Sequence, residues 1–413
     1  MFNEIEILKN MEYVRTGGSS KEEKCAKYIV SLLKDIGIKG QIEEFKVQDA
    51  KIEKCSLKIT KPYNKTIECL AYKNGSNANN LKKELFYLRN TNSKAELSKV
   101  KDKIVLIDKL GIPYWTFKDL LEYGAAGFIT LYGKLQYEDN DIDQKELRGP
   151  LRELGSLPAC SVNVKDFYEM VRQGATEAVL DIKQEEIKTT KSRNVVANIK
   201  GEDDRTIIFT AHYDSTPLSK GIYDNATGSV GILKLCEYFK QNKPKYNLIF
   251  VWCGSEERGL LGSKAYCIKH KKSLDKIDLC INLDMIGSNL GHFIACITGE
   301  EKLVNYLEYF GRINGYGIDA YQGVYSSDST PFADNGIPAV SFARITEHEP
   351  IHVRYDDMKT INEVVIKKDI ETILEFSKLM ANADIIPVNR IIPDNMKEKL
   401  DYYLFRKREK ELV

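Results

Sequence analysis

The chain has 413 residues, 43% of them hydrophobic, with 61 Lys plus Arg against 60 Asp plus Glu and a formal net charge of +1. That length holds about two to three domains with a sizeable core, and the balanced charge lacks the basic excess on which nucleic-acid binding draws. No apolar run reaches the roughly 18 residues of a membrane span, and MFNEIEILKN has no basic start leading into an apolar stretch, so a cytoplasmic protein is expected, with neither nucleic acid nor membrane as partner. The nine cysteines form no CxxC pair, and Cys236, Cys253 and Cys280 lie in apolar runs, which fits reduced core thiols better than a disulfide framework.

In chain order, Ser20 to Glu23 has capping-box spacing, and Cys25, Tyr28, Ile29, Leu32, Leu33 and Ile36 follow at helical spacing before Gly37. GQIEEFKV reads as a strand leaving this helix. The texture then turns polar and lysine-rich, which sets a domain boundary near residue 48. Residues 103–109, a helical run from Phe117 to Tyr123, and residues 125–133 make a strand, helix, strand unit; residues 157–175 repeat the alternation and lead into EAVLDIK. No histidine occurs before His212, and metal and acid-base sites lean on histidine, so this block reads as an accessory domain without chemistry. Residues 190–201 resume a strand pattern.

The apolar run from Thr206 to Ala211 reads as a buried strand with His212 and Asp214 at its carboxyl end, where open α/β sheets place their ligands. Imidazole is the commonest metal ligand, and a carboxylate two residues on could fix its other ring nitrogen. Asp224 follows a Gly-containing loop and precedes a helical run over 226–240. YNLIFVWC is the next strand, with Glu256 and Glu257 just beyond it. Adjacent glutamates are usually a solvated helix face, but a strand end argues for the same rim. KIDLCINLD is a third such strand, closing on Asp284, whose charge at the end of an apolar run needs a partner. Tyr325 to Asp328 begins a loop, helix and strand reading, with His352 in the loop beyond. His348 lies four residues earlier, and spacing leaves both open. His270 and His292 read as surface residues. Gly315, Gly317 and Ala320 imitate a dinucleotide fingerprint but follow a helical pattern, and no GxSxG, Walker or HExxH string is present. His212, Asp224, Glu257, Asp284 and His352 make five nitrogen and oxygen ligands, too many for one zinc-type ion and suited to two sharing a bridging carboxylate.

AHYDS, YDNATG, GSEERGLLGS, INLDMIG and IHVRYD together resemble the co-catalytic dizinc aminopeptidases of the aminopeptidase S and aminopeptidase Y type, a family that includes glutaminyl cyclases and glutamate carboxypeptidase. The resemblance covers residues 12–40 and 193–383. It implies an α/β fold with a mixed central sheet sandwiched by helices, formed by residues 1–47 and 191–385. A smaller α/β or β-rich insert at 48–190 resembles a protease-associated domain, and 386–413 would be a helical tail. It further implies two divalent ions, Zn²⁺ by type: Asp224 bridging, Glu257 and His352 completing one position, His212 and Asp284 the other. Glu256 would be the general base and Asp214 the residue orienting His212, both catalytic; the Asp224–Asn225 peptide would be cis, and the family's oxyanion-assisting tyrosine is matched, one residue out of register, by Tyr325. SSDST departs from the family at Ser329, where many relatives have histidine. The implied activity is a metal-dependent aminopeptidase acting on peptides. A carboxypeptidase or other amide hydrolase on the same site would need an arginine clamp, for which Arg258, Arg344 and Arg354 are at hand. A non-catalytic binding protein on this fold is the third reading, against which the intact ligand set speaks.

Overall fold

A computed structural model describes residues 3–136, 141–348 and 350–408. The chain divides into two compact units, one of residues 1–47 and 191–413 and the other of residues 48–190.

Strand β1 (Gln41–Asp49) begins the sheet of the first unit, and the chain then builds the second. That inserted unit has strands β2 (Ile52–Lys61), β3 (Lys65–Ile67), β4 (Cys69–Ala71), β5 (Ala78–Tyr87), β6 (Ile104–Ile107), β7 (Gly127–Tyr132), β8 (Ala159–Asn163) and β9 (Glu177–Gln184), in the order β3-β2-β9-β5-β6-β7-β8-β4. The two outermost strands are neighbours in the chain, separated by Glu68 alone, so residues 65–71 pair with β2 at one end and with β8 at the other. The sheet thereby closes on itself around a core that includes Leu57, Ile59, Leu106, Val162, Phe167 and Leu180.

The first unit resumes with β10 (Lys188–Ile199), β11 (Thr206–His212), β12 (Asn247–Cys253), β13 (Ile277–Leu283), β14 (His292–Thr298), β15 (Ile318–Gln322) and β16 (Ala339–Ile345), ordered β1-β10-β12-β11-β13-β16-β14-β15. The four middle strands β12, β11, β13 and β16 run parallel, whereas β10 and β14 join them antiparallel. The sheet is therefore mixed, and the carboxyl ends of its central strands share one rim. β11 and β13 are buried along their whole length, as strands covered on both faces must be.

The period of two along each strand divides its side chains between two cores. Ile207, Phe209 and Ala211 of β11, with Leu248, Phe250 and Trp252 of β12, face the helices Glu4–Met11, Ser20–Asp35, Thr227–Gln241, Glu301–Asn314 and Glu363–Asn382. Ile208, Val251, Cys253 and Cys280 face the other way, onto Tyr266, Phe332 and the Met396 and Leu400 side chains of helix Asp394–Tyr403. The segment beyond residue 386 thus supplies part of the second core; residues 409–413 lie outside the described residues.

Helix Ser20–Asp35 is capped one residue earlier than the sequence spacing indicates. Ser19, not Ser20, accepts the Glu22 amide at 3.1 Å, and the Glu22 carboxylate accepts the Gly18 amide at 3.0 Å. The sequence reading assigns no strand to β14 or β15: β15 is short with only Ala320 buried, whereas β14 is buried from Phe293 to Thr298 and its apolar run is passed over.

Candidate metal centre

The rim is assembled from four strand ends. β11 ends at His212, with Asp214 just past it; β12 leads into Gly254–Glu257; β13 leads into Asp284; and the loop after β16 carries His352. Asp224 stands in a tight turn, Ile222–Ala226, before helix Thr227–Gln241, and its peptide bond to Asn225 is cis.

Two groups result, and they share Asp224. In one, His212 Nε2 lies 3.1 Å from Asp224 Oδ1 and 3.5 Å from Asp284 Oδ1. In the other, His352 Nε2 lies 2.9 Å from Asp224 Oδ2 and 3.2 Å from Glu257 Oε2. Asp224 therefore offers one oxygen to each imidazole. Ligand atoms of His212, Asp224 and Asp284, and separately of Asp224, Glu257 and His352, fall within 4.8 Å of one another. Glu256 belongs to neither group, its Oε2 lying 4.0 Å from His212 Nε2. Asp214 accepts the backbone amides of Glu256 at 3.0 Å and Glu257 at 3.4 Å, and its Oδ1 sits 3.6 Å from His212 Nδ1, just beyond hydrogen-bond reach. It links the turn carrying both glutamates to the imidazole.

These residues fit a pair of cations. Asp214, Asp224, Glu256, Asp284 and Asp328 are buried, and with the partly buried Glu257 they crowd six carboxylates around two imidazoles, His212 buried and His352 with 35% of its side chain exposed. Burial opposes charge on His212, but the carboxylates, Glu256 and Asp284 foremost, hold its pKa well above the ordinary imidazole range. His352 is raised in the same way against its burial, by Glu257 and Asp224. Burial raises Glu256 far above the usual carboxylate range, with the Glu257, Asp328 and Asp284 charges adding to it. Asp284 Oδ1 is buried without a hydrogen-bond donor among the described residues. Two imidazoles charged only because carboxylates crowd them, with a carboxylate oxygen left without a donor, present the nitrogen and oxygen donor set of a hard or borderline divalent ion, which would take the place of those protons.

The loops are tied down from outside the rim. Asp356 accepts the Tyr223 amide at 2.7 Å, the Asp224 amide at 3.2 Å and the Ser219 hydroxyl at 3.2 Å. Arg15 is fully buried and pairs with no carboxylate among the described residues: its guanidinium donates to the carbonyls of Met11 at 3.0 Å and Gly221 at 2.6 Å, and to those of Tyr213 and Lys220. Gly221 has φ +58, and a Cβ there would meet the Asp224 carbonyl oxygen at 2.5 Å. Asn225 donates to the Leu283 carbonyl at 2.9 Å and accepts the Met285 amide at 3.1 Å, joining the bridging turn to the end of β13. His352 has φ +58, a left-handed conformation of the kind that concentrates at functional sites in non-glycine residues.

Of the two histidines that spacing leaves open, His352 enters the cluster and His348 is exposed. His270 pairs with Glu43 at 3.0 Å, and His292 is exposed beside Asp319. Sequence reasoning passes over Arg15, Glu22, Asp328 and Asp356 as site supports. Asp356 closes IHVRYD, and Asp328 stands between two serines in SSDST; an acid inside a chemistry-bearing motif is the available signal. Asp328 is fully buried with no well-formed hydrogen bond to either carboxylate oxygen among the described residues, and burial above all pushes it up to about 7. The Tyr325 hydroxyl is buried without a hydrogen-bond partner among the described residues. Burial raises its pKa far above the ordinary range, with the Asp284 charge next in effect, so the phenol stays protonated beside the cluster.

A mixed α/β sheet with two carboxylate–imidazole groups sharing one aspartate defines the class, an α/β protein with a candidate dimetal centre. The segment that carries all five of those side chains, residues 194–377, matches the model of Peptidase family M28. The chain is 28% identical over 261 residues to aminopeptidase YwaD of Bacillus subtilis, covering 59% of this chain and 53% of that protein. It is 27% identical over 271 residues to aminopeptidase Y of Saccharomyces cerevisiae, covering 60% and 48%. The chain thus spans about half the length of these curated relatives. Among solved structures, an aminopeptidase from Aneurinibacillus sp. strain AM-1 has the same fold, with TM-score 0.75 and 22% identity over 94% of this chain and 95% of that one. The zinc aminopeptidase BSAP from Bacillus subtilis matches with TM-score 0.73 and 22% identity over 94% and 98%.

Proposed function

We propose that this protein is a metal-dependent aminopeptidase that removes the N-terminal residue of peptides. The observation that carries the proposal is Asp224, one carboxylate presenting separate oxygens to two imidazoles, each flanked by a further carboxylate. The relatives' names add the aminopeptidase polarity. Two divalent ions, zinc by the nitrogen and oxygen donor set, would be held by His212 and Asp284, by Glu257 and His352, and by Asp224 between them; when bound they supply Lewis acidity toward the scissile carbonyl and water.

Glu256 holds no position in either ligand group and stands beside both, where it would take the proton of the attacking water and hand it to the departing amine. Asp214 fixes the turn that aims Glu256, through the Glu256 amide, and faces His212 Nδ1. The protonated Tyr325 phenol can donate to a developing oxyanion. A cationic α-amine is drawn to surplus carboxylate, whereas a substrate carboxylate would need an arginine. Arg344 is committed to a bidentate pair with Asp369, at 2.6 and 2.9 Å, and Arg258 donates to the Gly17 carbonyl at 3.2 Å, which favours the amine. A cytoplasmic location belongs to the proposal and is supported by nine cysteines with no disulfide among them. The insert as a protease-associated-like module is likewise proposed, on its separate sheet and core.

The test is a panel of aminoacyl reporters and their N-acetylated forms. Free-amine reporters are expected to be cleaved and the blocked ones not. Cleavage of blocked reporters bearing a free C-terminal carboxylate would move the assignment to carboxypeptidase.

A further inference from the structure

Cys55, Cys69 and Cys160 meet at the seam where the inserted unit's sheet closes, on β2, β4 and β8. Along β2 and β3, Leu57 stands opposite Ile67 and Ile59 opposite Lys65; carrying that register two residues further places Cys55 opposite Cys69. Their sulfurs are 3.3 Å apart. Across the other side of the seam Ala71 pairs with Cys160, so Cys160 is the diagonal neighbour of Cys69. Directly opposed residues of an antiparallel pair have Cα atoms about 4.5 to 5.5 Å apart, inside the roughly 4.4 to 6.8 Å that a disulfide spans. Cys69 and Cys160 are buried, whereas Cys55 is partly exposed, giving the group one face open to a reagent.

From this juxtaposition we infer that Cys55 and Cys69 form a dithiol modification site that reacts with low-molecular-weight disulfides and closes to an intramolecular disulfide. Cys55, the partly exposed residue of the pair, gives up its proton to solvent and attacks one sulfur of the reagent. The reagent's S–S bond breaks and one thiolate leaves. Cys69 then attacks the Cys55 sulfur, the mixed disulfide breaks, and the second thiolate departs with the proton given up by Cys69. Two protein thiols are oxidised, one reagent disulfide is reduced to two thiols, and both protons end on the products. The site owes nothing to the peptidase reading.

The experiment incubates the full, folded and reduced chain with excess oxidised glutathione, then counts free thiols and maps disulfides by peptide mass. Loss of two of the nine thiols, with a Cys55–Cys69 linkage and no retained glutathione, is the expected result. Cys69→Ala should instead trap glutathione on Cys55, and Cys55→Ser should leave Cys69 and Cys160 unmodified. Nine thiols remaining, a linkage elsewhere, or a Cys55–Cys69 bond appearing only after denaturation would overturn the proposal. The unaltered chain alone decides this if a variant fails to fold.

Discussion

Glu256 and Glu257 are neighbours in the chain with separate surroundings. Glu257 faces His352 at 3.2 Å and shares that group with Asp224, whereas Glu256 stands 4.0 Å from His212 Nε2 outside both groups. Glu256→Gln keeps the shape but cannot take up a proton, so metal content should be unchanged while kcat falls by at least about 10²-fold. Glu257→Gln should lose metal from one position and recover part of its activity with added zinc, and Asp224→Ala should weaken both positions together. Metal titration alongside steady-state kinetics checks this; rescue of Glu256→Gln by zinc would reverse the roles. The strand ends made these acids legible in the sequence, because a charge closing an apolar run has few other reasons to be there. The choice between His348 and His352 was not legible from spacing and was made only through the motif IHVRYD. It depends on the path of the loop after β16, which Asp356 fixes by bonding the turn of Asp224, and such a contact leaves no periodic trace.

At the scale of the element, helix Ser20–Asp35 does more than bury its apolar stripe. Glu22 sits fully buried in its first turn and accepts the Ser192 hydroxyl, which in turn is bonded to Ser255 at 2.8 Å, one residue before Glu256. Capping, strand β10 and the glutamate turn are thus joined through one carboxyl. Burial pushes Glu22 up to about 8, against the Ser192 hydroxyl, the Gly18 amide and Arg193, which lower it. Folding therefore favours the protonated form: its contribution is full below the ordinary value of 4.5 and is lost as pH rises through about 8. Glu22→Gln should flatten the fall of Tm with pH across that window. An unchanged slope in thermal melts of the two proteins would mean that another group sets it. The helix was legible from its spacing; its cap was misplaced by one residue because Ser19 and Ser20 are both good caps, and only the direction of the chain entering from Gly18 separates them.

For the whole molecule, the two faces of the mixed sheet are covered by helices drawn from distant parts of the chain. Met396 of helix Asp394–Tyr403 is fully buried in the same core as Tyr266 and Phe332. Met396→Ala should cost about 2–5 kcal/mol by lost transfer energy and a residual cavity, and lower Tm by several degrees in calorimetry. A Tm unchanged by that truncation would show the helix to be dispensable to the unit. The sequence by itself determined the buried parallel strands, the acids and histidine closing them and the change of texture near residue 48, because apolar runs, strand-end charges and composition are local properties. The tertiary structure alone decided that one aspartate lies between two imidazoles, that Arg15 and Asp356 hold its turn, and that a strand split by Glu68 brings three cysteines to one seam. Each of these depends on which strands are neighbours and how far loops reach across them, and sheet order is set by packing between segments hundreds of residues apart.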